Sequence, residues 1–251
     1  MNPTLTAIAV FVCAFGGALA GIKLRNVLPE HHLDSESKDT VKVGIALVAT
    51  MTALVLGLVT STAKSSFDRN SLATKRAAAD LLSLDRTLDQ YGPEADEIRK
   101  ALVRLIADRI TYIWERQSGS AQLEPKNATE SEQLSARVRA LEPQTDDQRW
   151  LQTRARDFSE KLLEGRWLVF ASQSASVHVV FLAILVCWLT ITFTSFGLFA
   201  PRNVTVLAVL FVCALSVAGA VFLILELDGP FEGLVVVSSD PMRYALAHLN
   251  R

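Results

Sequence analysis

The sequence has no excess of charge of either sign. It carries 25 Lys and Arg residues against 26 Asp and Glu residues, and its formal net charge is −1. A surface that binds nucleic acid is usually strongly basic, because it must neutralise phosphate groups. We therefore expect no nucleic-acid partner.

Cysteines and catalytic motifs are also scarce. The three cysteines, Cys13, Cys187 and Cys213, match neither a zinc site nor a redox motif in their spacing. All three lie in apolar stretches, so we expect them to be buried packing thiols. The chain has no phosphate-binding glycine loop, no nucleophile elbow and no histidine pair of the zinc-hydrolase type. We expect no enzyme, no bound metal and no cofactor.

Four stretches contain almost no ionisable side chains, and each has about the 20 residues that a helix needs to cross a bilayer. They cover residues 4–22, 43–63, 177–200 and 204–225. Residues 64–166, between the second and third stretches, hold 18 of the 25 basic and 18 of the 26 acidic residues. This distribution predicts an all-α protein with four transmembrane helices in two hairpins and a soluble helical insert between the second and third.

The predicted domain boundaries follow these changes in composition. Residues 1–64 form the first hairpin, 65–166 the insert that continues the second span, 167–228 the second hairpin, and 229–251 a tail with a short amphipathic helix. Because the number of spans is even, both termini and the insert lie on one side. The excess of Lys and Arg near the span ends places that side in the cytoplasm, in the inner (plasma) membrane.

The first apolar stretch has a second interpretation. Its sequence Ala18-Leu19-Ala20 resembles a signal-peptidase site, but no basic residue precedes the apolar run as a signal peptide requires. We expect a retained span, and cleavage stays open as the alternative.

The second span is the most informative stretch. Residues 64–91 contain neither Pro nor Gly, so the span is predicted to continue as one helix over residues 41–91. Within the span, Thr50, Gly57 and Lys64 recur every seven residues and therefore share one face of the helix. Beside them lie Ala53, Thr60 and Ser61.

Two interpretations of this small, polar face stay open. Small residues and hydroxyls let membrane helices pack closely and hydrogen-bond to one another. The same residues leave room for an ion and its water in a pore, where Leu54, Leu56 or Leu58 forms a hydrophobic constriction. In a pore, Lys64 at the mouth favours anions.

Five further ionisable residues are candidates for such a path. Asp68 and Arg69 follow the second span, and Glu226 and Asp228 follow the fourth, so these four are candidates for charged groups at the mouth. His178, just inside the third span, is a possible intramembrane polar site, because ionisable groups at membrane depth are often functional.

Three passages resemble a bestrophin-like family of bacterial and plant membrane proteins. They are Ser65-Ser66-Phe67-Asp68-Arg69, the sequence LELDGPF at residues 225–231, and Ser238-Ser239 before Pro241. The resemblance implies two membrane hairpins that flank a soluble helical region, over nearly the whole chain. It is similar in architecture to bestrophins, which implies an oligomeric anion channel whose second helix lines a hydrophobic neck.

From these features we expect an oligomeric ion channel, passive and gated, with anions slightly preferred and the second span lining the pore. Its partners are then the lipid bilayer, further copies of the chain and inorganic ions. The alternative is a membrane sensor or scaffold protein whose helical insert binds a ligand or a partner.

Overall fold

The computed structural model describes residues 2–25, 27, 35–115, 125–173, 179–201 and 203–249. Within these residues the chain forms eight α-helices. They are α1 (Pro3–Leu24), α2 (Ser35–Tyr91), α3 (Asp96–Ile110), α4 (Pro125–Arg139), α5 (Asp146–Gln173), α6 (Val179–Phe199), α7 (Val204–Asp228) and α8 (Asp240–His248). Four of them, α1, α2, α6 and α7, are long and apolar enough to cross a membrane. The predicted fold class is confirmed.

The chain divides into two compact units. The membrane unit comprises Met1–Ser65 and Ser176–Asp228, and the insert unit comprises Ser66–Ala175 and Gly229–Arg251. The 57-residue helix α2 contributes residues to both. It ends at Gly92, whose φ of 122° lies in a region that favours glycine, and Pro93 then opens a short 3-10 turn, Pro93–Ala95.

In the membrane unit, α1 packs against both α6 and α7. Asn2 caps its first turn by accepting hydrogen bonds from the backbone N–H groups of Thr4 and Leu5. An aromatic group joins α1 to α7, since the rings of Phe11 and Phe15 each meet the ring of Phe211 edge to face. The buried core is completed by Val10, Ala14 and Ala18 of α1, Leu185, Leu189 and Phe193 of α6, and Leu210, Ala214, Val221 and Leu225 of α7.

Glycines bring α1 and α6 into close contact. A Cβ atom at Gly21 would overlap the carbonyl oxygen of Thr194, and one at Gly197 would overlap the carbonyl oxygen of Ala18. Small residues allow this backbone approach between membrane helices. Gly17 meets Thr190 just as Gly21 meets Thr194, so the contacts advance in the same direction and the two helices run parallel.

The parallel arrangement also brings the ends of the two helices together. Arg25, at the end of α1, donates a hydrogen bond of 2.6 Å from Nη1 to the carbonyl oxygen of Ala200, which follows α6. This carbonyl belongs to the last turn of a helix, where intrahelical donors are missing. The guanidinium group therefore supplies a donor that the backbone cannot.

The three cysteines are not buried, contrary to the prediction. Cys13, Cys187 and Cys213 are all exposed on the surface of the protomer. The prediction assumed that an apolar position in a membrane span is covered by protein. Lipid is as apolar as a protein core, however, so a span carries small apolar residues on its outer face as well.

The insert unit has its own hydrophobic core. Its fully buried side chains are Leu81, Leu84 and Leu88 of α2, Leu102 and Ile106 of α3, and Val138 of α4. Helix α4 begins at Pro125. Thr145 caps α5, because its Oγ1 accepts a hydrogen bond of 3.1 Å from the backbone N–H of Gln148.

A buried ion cluster joins α2 to α3. The guanidinium of Arg99 donates to both carboxylate oxygens of Asp85, at 2.9 and 3.3 Å, and to Asp89 at 2.6 Å. The hydrogen bond with Asp85 holds the pKa of Arg99 above its ordinary value, against the opposing effect of burial. Arg99 and Asp85 are both buried, whereas the side chain of Asp89 is 56% exposed.

The C-terminal tail is held against the end of α3. There the chain forms a π-helical turn, Thr111–Glu115, and the indole Nε1 of Trp114 donates a hydrogen bond of 2.7 Å to the carbonyl oxygen of Val237. The ring of Phe231 meets the indole edge to face, with centroids 5.7 Å apart. Helix α8 adds Met242 and Ala245 to the core of the insert unit, and Leu249, which follows the helix, joins them.

The close contact between α1 and α6 gives a first prediction. Gly21→Ala is expected to destabilise the membrane unit by about 1–3 kcal/mol, because the new methyl group overlaps backbone atoms that cannot move independently. Thermal unfolding of the full-length protein in detergent measures the effect. Gly16→Ala is the matched control, since a Cβ there meets nothing within 4 Å. Equal melting temperatures for the two variants would contradict the predicted contact.

The ion cluster gives a second prediction. Asp85→Asn is expected to lower the free energy of unfolding by about 3–5 kcal/mol, because the buried guanidinium of Arg99 then lacks its buried charged partner and keeps only the exposed Asp89. Asp89→Asn removes a partner of the same guanidinium from an exposed position, so it is expected to cost at most about 1 kcal/mol. Denaturant titration of both variants checks the difference. A loss of the same size in both would refute the assignment of Asp85 as the principal partner.

Candidate functional site

The membrane span of α2 is the least covered of the four. In its most apolar stretch 11% of the residues are buried, against 28% in each of α1, α6 and α7. A helix that is apolar around its circumference gives little indication from sequence of which face turns inward. The structure supplies that missing information.

The inward face of α2 is a narrow arc. Ile45, Thr52 and Ala63 are buried, and Val55 and Leu56 pack against the apolar cluster formed by α1, α6 and α7. Successive residues of an α-helix turn by about 100°, which places these five positions on one side. Of the three leucines predicted as candidates for a constriction, Leu56 therefore faces the helices of its own protomer.

The small, polar face points away from those helices. Its members are exposed, apart from the half-buried Thr60; we call Thr50, Ala53, Gly57, Thr60, Ser61 and Lys64 the small-residue stripe. A Cβ atom added at Gly57 would meet nothing within 4 Å, in contrast to the glycines between α1 and α6. The stripe is therefore not used for packing within the protomer.

Large apolar side chains flank the stripe on the outward surface. Leu47 and Leu58 are 64% and 67% exposed, and with Met51 they form what we call the leucine edge. Leu54, which is 69% exposed, lies at the border between the leucine edge and the stripe. Leu47 and Met51 were not singled out from the sequence, because nothing in a uniformly apolar pattern separates them from the inward residues.

The threonines of the span bond to their own backbone. The hydroxyls of Thr50, Thr52, Thr60 and Thr62 each donate to the carbonyl oxygen four residues earlier, at 2.7–2.9 Å. Threonine in a membrane helix commonly satisfies its donor in this way. Each hydroxyl oxygen keeps lone-pair capacity to accept a further hydrogen bond.

The charged candidates occupy different surroundings. Lys64 and Asp68 are exposed and lie one helical turn apart on α2, while Arg69 is exposed about 100° further around the helix. Glu226, in the last turn of α7, is only 4% exposed, and Asp228 is half-buried. Glu226 is therefore covered by other parts of the protomer, unlike Lys64 and Asp68.

The remaining candidates concern His178 and metal binding. His178 lies outside the described residues. Within the described part of the chain, no group of three or more His, Cys, Asp or Glu side chains is arranged to hold a metal ion.

Comparison with known families identifies the chain. A family model of the bestrophin-like domain matches residues 12–242, which include most of α1 and all of the helices from α2 to α7. The chain belongs to the bestrophin-like family. The resemblance predicted from the three sequence passages is thus confirmed. Searches of the curated proteins and of the solved structures found no match to this bestrophin-like chain.

Proposed function

We propose that this bestrophin-like membrane protein is a passive, gated ion channel. Copies of the chain assemble symmetrically around an axis that faces the outward surface of α2. The small-residue stripe lines the ion path, and anions are slightly preferred. The channel lies in the inner membrane, with the termini and the insert unit in the cytoplasm.

One observation carries this proposal. The stripe is exposed on a span that its own protomer covers poorly, whereas the small residues of α1 are already in contact with α6. Lipid tails neither hydrogen-bond to hydroxyls nor solvate a charged group such as Lys64. Water or another protein surface is the better environment for this face. A ring of copies supplies both, since it encloses the stripe and leaves a lumen between the helices.

The ring also accounts for the leucine edge. Identical subunits that contact one another head to tail close into a ring, and each then presents two different surfaces to its neighbours. The leucine edge lies beside the stripe, so it is the part of α2 that meets the adjacent subunit or narrows the lumen. Leu54, at the border, is the side chain that we assign to the narrowest point, where a hydrophobic constriction gates by excluding water.

Lys64 supports the preference for anions. It lies at the end of the stripe that leads into the insert unit, and Asp68 follows one turn later on the same face. A ring of ammonium groups raises the local concentration of anions, and a neighbouring ring of carboxylates reduces that effect. We therefore assign a slight preference rather than strict selectivity.

Conductance tests the proposal directly. Purified protein in planar bilayers under a KCl gradient is expected to give a current whose reversal potential is displaced toward chloride. Lys64→Glu is expected to shift the chloride-to-potassium permeability ratio about ten-fold toward potassium, because the fixed charge is inverted close to the ion. Lys64→Arg keeps the charge and should keep the ratio. Absence of current above empty bilayers, with both anion and cation gradients, would contradict the proposal.

Cysteine accessibility separates a water-filled lumen from simple helix packing. In a variant with Cys13, Cys187 and Cys213 replaced by Ser, a charged thiol reagent is expected to modify Ser61→Cys quickly, because a thiolate forms only where water is present. Thr52→Cys is the buried control. Mass spectrometry of the labelled protein measures both rates.

The same experiment has an outcome that contradicts the lumen. If Ser61→Cys reacts as slowly as Thr52→Cys in the assembled protein, the stripe is covered by another helix and the packing interpretation holds. Gly57→Cys, one turn away on the stripe, repeats the test at greater depth.

A further inference from the structure

A groove on the insert unit is formed by helices other than α2. It runs between α3 and α4 and encloses about 270 Å³. Its floor is apolar, with Leu105 and Leu134 both buried. Charged side chains form its walls; they are Arg104 and Asp108 of α3 and Glu130 and Arg137 of α4.

The basic and the acidic side chains lie toward opposite ends of the groove. The hydrogen bond and charge of Lys100 lower the pKa of Glu97, and the charges of Arg104 and Arg137 lower it further. Arg137 therefore lies toward the beginning of α3, near Glu97. Because α4 is an α-helix over these residues, Glu130 lies about two turns away from Arg137, toward the end of α3 that carries Asp108.

The distance between the basic and the acidic side chains of the groove follows from the helical rise. Arg104 and Asp108 are about 6 Å apart along α3, and Arg137 and Glu130 are about 10 Å apart along α4, at 1.5 Å per residue. The groove therefore has a basic end and an acidic end separated by roughly 6–10 Å of apolar floor.

The four charged groups do not neutralise one another at close range. Among the described residues, no ion pair within 4.0 Å and no side-chain hydrogen bond involves Arg104, Asp108, Glu130 or Arg137. Arg104 and Asp108 have the helical spacing at which opposite charges commonly pair. Within the described part of the chain, these guanidinium and carboxylate groups are therefore open to a ligand.

We propose that this groove binds a small, extended zwitterion. The carboxylate of the ligand lies between Arg104 and Arg137, whose planar guanidinium groups suit bidentate recognition of a carboxylate. Its ammonium group lies between Asp108 and Glu130, and its methylene chain covers Leu105 and Leu134. The insert unit then has a ligand site of its own, independent of ion conduction in the membrane unit.

Calorimetry on the full-length protein in detergent tests this site. The probe is 6-aminohexanoate, which carries its two charges at the ends of five methylene groups. Binding is expected to be at least about ten-fold tighter than that of glycine, hexanoate or hexylamine, each of which lacks one end or the span between them. Equal binding of hexanoate would show a simple anion site and overturn the zwitterion.

Matched variants assign the binding to the groove. Arg137→Gln and Asp108→Asn are each expected to weaken binding of 6-aminohexanoate roughly ten-fold. Arg149→Gln is the control, since Arg149 is exposed on α5 and does not line the groove. Thermal unfolding checks that each variant is folded. We expect all three to fold, because the substituted positions are exposed. No binding to the wild-type protein, or equal binding by all variants, would overturn the proposal.

Discussion

Lipid provides no hydrogen-bond partner, and much of the membrane unit reflects how the chain satisfies its polar groups without water. The hydroxyl groups of threonines in α2 and α6 donate hydrogen bonds to the backbone of their own helix. Arg25 supplies a donor to the carbonyl of Ala200, just after the end of α6. These bonds offset the free-energy cost of taking polar groups out of water. The threonine bonds lie within one helix, so they contribute little to the choice of neighbouring helix. Packing between helices is therefore decided mainly by shape, and glycine is the residue that changes shape most.

Glycine and other small residues occur in the membrane unit in two distinct settings. Gly21 and Gly197 let the backbones of α1 and α6 meet within one protomer. Gly57 has the same character but lies in open space, on the span that the protomer covers least. The contacts at Gly21 and Gly197 form within one chain, whereas Gly57 has no such contact within the described part of the chain. This difference is the physical basis for the proposal that α2, rather than α1, contacts water and other copies of the chain.

The sequence was sufficient to predict features that depend on local pattern. Charge-free stretches predicted the four spans, and the absence of Pro and Gly from residue 64 to Tyr91 predicted the unbroken helix α2. Features that depend on three-dimensional neighbours were not predictable. The exposed cysteines and the inward position of Leu56 depend on which side of an apolar helix meets protein. The basic and acidic ends of the α3–α4 groove depend on how two helices align, and ordinary exposed helical charges give no sign of it.

The π-helical turn at Thr111–Glu115 has a consequence for how this chain tolerates change in length. A π turn closes hydrogen bonds from residue i to residue i+5, so it accommodates one residue more than an α-helical turn. Loss of one residue there would return the segment to α-helical geometry and change the direction of Trp114 relative to α3. The indole would then leave the carbonyl of Val237 and the ring of Phe231. The attachment of the tail is thus encoded in the number of residues at this turn as well as in their identity.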